Sequence, residues 1–133
     1  MDRNLDAFQE ARPGFQEGIQ TTVYQTQGGA ALAFVMALLL GVAAGSRFMV
    51  IRGASRTVVE FFRGTSLLVQ LFWLFFVLPL LGFELDPMFC GILALGLNYG
   101  AYAAEVVRGA LAAVPPAQSE AAVALNFTTW QRL

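Results

Sequence analysis

The sequence predicts an all-α integral membrane protein with three transmembrane helices and a short cytoplasmic helix behind the third. Three observations carry this expectation. Of the 133 residues, 57% are hydrophobic and 13% charged, against about a quarter charged in soluble domains. No Asp, Glu or Arg occurs from Gly18 to Ser46, from Gly64 to Phe83 or from Pro87 to Ala104, and a helix crosses the hydrocarbon core with about 20 mainly apolar residues. Between the first two runs, Arg47, Arg52, Arg56 and Arg63 are opposed only by Glu60.

The chain opens with residues 1–17, where Asp2, Asp6, Glu10 and Glu17 outweigh Arg3 and Arg12. A signal peptide begins with a short basic region followed at once by its apolar segment, so this start predicts a polar segment outside the membrane. The first crossing is expected over about 18–46. Gln20, Thr21, Thr22, Gln25 and Gln27 would sit at the interface, and the apolar part runs from about Gly28 to Gly45. Gly29, Ala33, Ala37, Gly41 and Gly45 recur every four residues, as do Gly96, Gly100 and Ala104. Small residues at this spacing let helix backbones approach closely in lipid. The arginine-rich interval is cytoplasmic by the positive-inside rule, which puts the N-terminus and the Glu84–Asp86 turn outside.

The second crossing is expected over about 64–83. It is approached by Arg56–Gly64, an amphipathic stretch in which Glu60 and Arg63 can pair at i, i+3. Within it Gln70 shares a face with Trp73 and Val77 and needs a hydrogen-bond partner, since lipid offers none. The third crossing, about 87–112, carries Asn98, Tyr102 and Glu105 on one face. Glu105 pairs with Arg108 at the cytoplasmic boundary on one reading and belongs to a polar face on another. Polar side chains at membrane depth usually face a bundle interior or a water-filled path. Gln70, Asn98 and Tyr102 are therefore candidates for a solute path, or for hydrogen bonds between helices. Pro115 and Pro116 end the third helix. A short helix is expected over about 117–126, closed by Asn126 in the left-handed conformation.

Composition also removes chemistry. All 8 basic residues are arginine and histidine is absent, so no P-loop lysine, Schiff-base lysine, histidine base or histidine metal ligand is available. Cys90, the single cysteine, cannot form an intrachain disulfide or a cysteine zinc site, and no metal site is expected. Glu60 and Glu105 have no second carboxylate, nucleophile or metal ligand at a spacing that suits an intramembrane hydrolase. No basic patch with interleaved aromatics speaks for nucleic acid. A transport component remains, or alternatively a small accessory protein that assembles a membrane complex.

Three stretches then carry a family resemblance: VEFFRGTSLLVQL from Val59 to Leu71, LNYGAYAAEVVR from Leu97 to Arg108, and PAQSEAAVALN from Pro116 to Asn126. Together they resemble the permease subunits of bacterial ATP-binding-cassette importers, in the branch for polar amino acids, over roughly residues 18–133. The last stretch is similar to the family's EAA loop. The resemblance implies that Glu120, Ala121, Ala122, Leu125 and Asn126 form the contact that couples the chain to a cytoplasmic ATPase. Asn126 stands where the family usually has glycine, Ser66 where it has proline, and Ala117 where it has glycine. With the wording of the third crossing, these departures resemble the ectoine and hydroxyectoine importers.

The implied fold is the front part of a five-helix permease, because the family continues through an Ile-x-Leu-Pro segment into two further helices and this sequence ends at Leu133. Implied partners are ABC ATPase subunits, a second permease subunit (identical or paralogous), an external solute-binding protein and the lipid bilayer of the bacterial inner membrane. No cofactor is expected on this chain; ATP and Mg belong to the ATPase.

Overall fold

The structure is a computed structural model that describes residues 2–128 and residue 131, so the outermost ends of the two expected segments, at residue 1 and at 129, 130, 132 and 133, lie outside the described residues. Its described elements are helical. The first, α1, spans Asp2–Ala44 without a break, although Pro13 lies inside it. The boundary expected near residue 18 is therefore absent. Pro13 lies in the helix interior and withholds a backbone donor from the Gln9 carbonyl, but Gln9 and Pro13 are exposed, so water can serve that carbonyl, and Gly14 and Gly18 stand in open space. At 1.5 Å per residue, the 43 residues make a rod of about 64 Å, roughly twice the hydrocarbon core.

Helix α5 spans Pro87–Ala112. Asp86 caps its start by accepting the Met88 amide at 3.0 Å, and Pro87 occupies the first turn, where no donor is needed. The helix ends before Pro115 and Pro116, with the Ala113 amide bonded to the Gly109 and Ala110 carbonyls. α1 and α5 pack side by side and run in the same direction. Leu32 lies beside Gly96, Met36 beside Gly100, and Val107 beside Gly41. Ala33, Ala37, Gly41 and Ala44 of α1 are buried against this partner, as are Ala94, Gly96, Gly100, Ala101 and Ala104 of α5. Gly45, the last member of the expected stripe, is exposed, and Ala44 takes the buried position.

Between this pair, α2 (Met49–Gly64) bends by 97° into the segment Leu67–Leu80. That segment comprises α3 (Leu67–Phe72), a π-helical turn (Trp73–Val77) and the short α4 (Leu78–Leu80). The wide turn places the Leu78 amide on the Trp73 carbonyl, just ahead of Pro79, which has no amide hydrogen for the Phe75 carbonyl. α2 is tied to α1 by the Ser55 hydroxyl, which donates to the Leu40 carbonyl at 2.7 Å. It is tied to α5 by Val59, buried against Ala101 and Ala104.

Two helices, Gln9–Ala44 and Pro87–Ala112, are long and apolar enough to cross a membrane; the bent pair supplies a third crossing if counted as one span. The second crossing therefore departs from the expected 64–83. The charge-free run continues through the corner at Gly64–Ser66, and only Leu67–Leu80 lies beyond it. After the double proline, α6 spans Pro116–Ala124, against the expected 117–126.

Candidate functional site

Two places gather the polar residues that sequence reasoning singles out. The first is the 97° corner between α2 and α3. A helix end leaves its last carbonyls without intrahelical donors, and away from water each of these must find another. Here side chains supply them. The Thr65 hydroxyl donates to the Phe61 carbonyl at 2.7 Å. The Phe62 carbonyl accepts from Gln70 Nε2 at 3.1 Å and from Asn98 Nδ2 at 3.4 Å. The same two amides reach the Thr65 carbonyl at 3.3 and 3.4 Å, and the Tyr102 hydroxyl donates to the Arg63 carbonyl at 3.2 Å.

Gln70, Asn98 and Tyr102 thus meet around the corner. Gln70 and Asn98 are buried and Tyr102 is half-exposed. Gln70 borders a cavity of about 340 Å³ with Phe61, Trp73 and Leu97, and its Oε1 is buried with no donor. Tyr102 instead borders an open groove of about 1130 Å³ between α1 and α5, whose walls include Gly29, Ala33 and Phe34 and whose rim carries Arg63 and Glu105. The corner was missed by sequence reasoning, although Gly64-Thr65-Ser66 inside an apolar run is a break signal.

Of the two expected ion pairs, Glu105–Arg108 is formed. Arg108 and Glu105 form a salt bridge one turn apart, the only ion pair among the described residues. The Glu60–Arg63 pair is not formed. Arg63 lies over the Tyr102 ring, 5.4 Å from its centroid, where a cation gains from the ring's electron-rich face. Glu60 borders a cavity of about 200 Å³ shared with Arg56, Arg63, Glu105 and Arg108.

The second place is α6. Glu120, Ala121 and Leu125 are exposed and Ala122 is half-buried. Asn126 has φ 60°, its amide bonds to the Val123 carbonyl at 3.0 Å, and the Phe127 amide bonds to the Ala122 carbonyl at 3.0 Å. These two bonds make a Schellman turn with asparagine in the left-handed position. Asn126→Gly is expected to leave the turn intact. Asn126→Val, β-branched in a conformation that costs most residues about 1–2 kcal/mol, should speed amide exchange at Phe127 about tenfold; hydrogen exchange read by mass spectrometry on the 116–128 peptide checks both. Among the described residues, no group of three or more His, Cys, Asp or Glu could hold a metal ion.

With this geometry in view, the comparisons with known proteins agree with one another. Residues 18–133 match the family described as "Binding-protein-dependent transport system inner membrane component". The chain is 50% identical over 121 residues to the probable amino-acid ABC transporter permease protein y4tF of Sinorhizobium fredii, covering 86% of this chain and 49% of that protein. It is 34% identical over 116 residues to the L-cystine transport system permease protein TcyB of Bacillus subtilis, covering 87% and 50%. A crystal structure of an amino acid ABC transporter with histidines superposes with a TM-score of 0.81 at 31% identity, over 95% of this chain and 59% of that one. The chain spans about half the length of the curated relatives it matches. On these grounds the chain belongs to the family of inner membrane components of binding-protein-dependent transport systems, a family of permease components without an ATPase site.

Proposed function

We propose that the chain is the front part of a permease subunit of an ATP-driven importer for polar amino acids or related zwitterions, ectoine and hydroxyectoine among them. The observation that carries this reading is α6, a short helix closed by a Schellman turn, with Glu120 and Ala121 exposed. A small-residue surface next to a carboxylate suits insertion into a groove on a partner, and we assign the groove to a cytoplasmic ABC ATPase. Glu120, Ala121, Ala122 and Leu125 make the contact, and Asn126 shapes its end. Two ATPases and a second permease subunit, identical or paralogous, complete the complex, with ATP and Mg on the ATPases. An external binding protein delivers solute.

The orientation is N-terminus outside. It is supported by the parallel run of α1 and α5, which brings the arginine interval after Ala44 and the α6 segment after Ala112 to the same side. Relatives named for amino acids, L-cystine in one case, support the solute class. The choice of ectoine rests on the departures at Ser66, Ala117 and Asn126 together with the wording of the third crossing from Asn98 to Leu111. Of the path residues, Tyr102 keeps a face on the α1–α5 groove and Gln70 keeps a free buried acceptor, so these are the solute contacts we favour, with Asn98 holding the corner.

Glu120→Arg in the complete subunit is expected to lower recovery of the ATPase in co-purification at least about tenfold, as for a charge reversed in a buried contact, while membrane insertion is unchanged. Undiminished recovery would sink the assignment of α6. Solute-stimulated ATP hydrolysis in proteoliposomes separates an importer from an accessory protein that merely assembles with one.

A further inference from the structure

We propose that a basic cavity between the end of α1, the first half of α2 and the last turns of α5 binds the phosphate headgroup of an anionic phospholipid. The cavity, about 460 Å³, is lined by Arg52, Arg56 and Arg108 with Val42, Leu111 and Ala112 among its walls. Three guanidinium groups from two helices therefore share one space. Only Arg108 has a carboxylate within salt-bridge distance, its neighbour Glu105. The adjoining smaller cavity adds Arg63, Glu60 and Glu105, so the two cavities hold four arginines (52, 56, 63 and 108) against two glutamates (60 and 105) and retain a positive surplus.

The surroundings favour a lipid over a soluble acidic partner. Val42 and Leu111 are more than half exposed at the ends of the two long spans. On α2, Val50, Ala54, Val58 and Phe61 form an exposed apolar face at i, i+4, i+8 and i+11, turned away from the arginines. A phospholipid satisfies both demands, since guanidinium matches phosphate as a bidentate fork and acyl chains cover the apolar rim. An acidic protein would neutralise the arginines and leave that rim in water. Basic pockets between transmembrane helices on the cytoplasmic side bind anionic headgroups in this manner.

The inference rests on the membrane placement given above, in that the cavity must lie at headgroup level, and the two are tested separately. Native mass spectrometry of the detergent-purified chain, titrated with dioleoylphosphatidylglycerol or dioleoylphosphatidylcholine, should show at least about tenfold preference for phosphatidylglycerol. R52Q/R56Q should weaken its binding about thirtyfold. R52K/R56K, which keeps the charge but loses the bidentate fork, should fall between the wild type and R52Q/R56Q, and R3Q/R12Q should retain all of it. A photoactivatable phosphatidylglycerol should label peptides containing residues 42–56 and 108–112, a readout that needs no variant to fold. Equal affinity for both lipids, an unchanged R52Q/R56Q, or label spread evenly along the chain would overturn the proposal. Displacement of the lipid by inorganic phosphate or a polyglutamate peptide at equal concentration would overturn the choice of a lipid. Labelling of S46C from outside the cell would overturn the orientation and leave the lipid result standing.

Discussion

Gly41→Leu is expected to be the most damaging single substitution in the described chain. A Cβ added at Gly41 would stand 2.7 Å from the Val107 side chain and 2.9 Å from the Ala104 carbonyl oxygen. Val107 can turn aside, but the carbonyl belongs to the α5 backbone and cannot move without moving the helix. Close approach is what holds helices together in lipid, where apolar burial gives no net drive. A leucine here costs the contact and inserts extra volume, so the loss should reach about 3 kcal/mol, the upper part of the usual range for overpacking. Gly18→Leu is the control, because nothing lies within 4 Å of Gly18. Unfolding of both variants by titration with sodium dodecyl sulfate, followed by circular dichroism, checks this. Equal midpoints would mean that α1 and α5 do not meet as described.

The second large effect is cooperative. The Phe62 and Thr65 carbonyls each accept from both Gln70 and Asn98, so either amide alone leaves each carbonyl one donor. Gln70→Leu and Asn98→Leu should each cost about 1 kcal/mol, close to the value of an interhelical hydrogen bond in membranes. The double variant strands both carbonyls and should cost about 3 kcal/mol, more than the sum, because an unsatisfied buried acceptor bears the full desolvation penalty. The expected coupling is about 1 kcal/mol in a double-mutant cycle. Strict additivity would show that the two amides act independently. Spin labels at the exposed positions 57 and 80 should report a broader distance distribution in the double variant alone, as the 97° corner loosens.

What the sequence makes legible depends on how local the cause is. The ends of α5 are legible because their causes adjoin them: Asp86 and Pro87 at the start, Pro115 and Pro116 beyond the finish. The turn at Asn126 is legible for the same reason, since asparagine is among the few residues that enter the left-handed region readily. The corner at Gly64–Ser66 is less so: Gly-Thr-Ser signals a break, but the bend depends on carbonyls satisfied by Asn98 and Tyr102, 33 to 39 residues away. Glu60 and Arg63 have the spacing of a pair, yet Arg63 lies on a ring that no helical period could have placed there. The polar face of α5 was visible in the sequence, while the use made of Asn98, as a donor to another helix's end, required the fold. The unbroken start of α1 was masked by Pro13 and two glycines, which break helices on average and do not do so here.

Helix α5 continues from the level of Asn98 to Ala112 as part of one 26-residue helix, and α6 follows within a short proline link. Those last 14 residues or so make a lever arm of about 21 Å whose fulcrum is the hydrogen-bonded corner. A tilt of about 10° about that fulcrum carries the α6 end sideways by roughly 4 Å, while Phe62 and Thr65, seated at the pivot, stay in place. For such a tilt the same amides that satisfy an awkward break in the backbone would set the gearing, and moving them along α5 by one helical turn would change how much travel at the α6 end a given rotation produces.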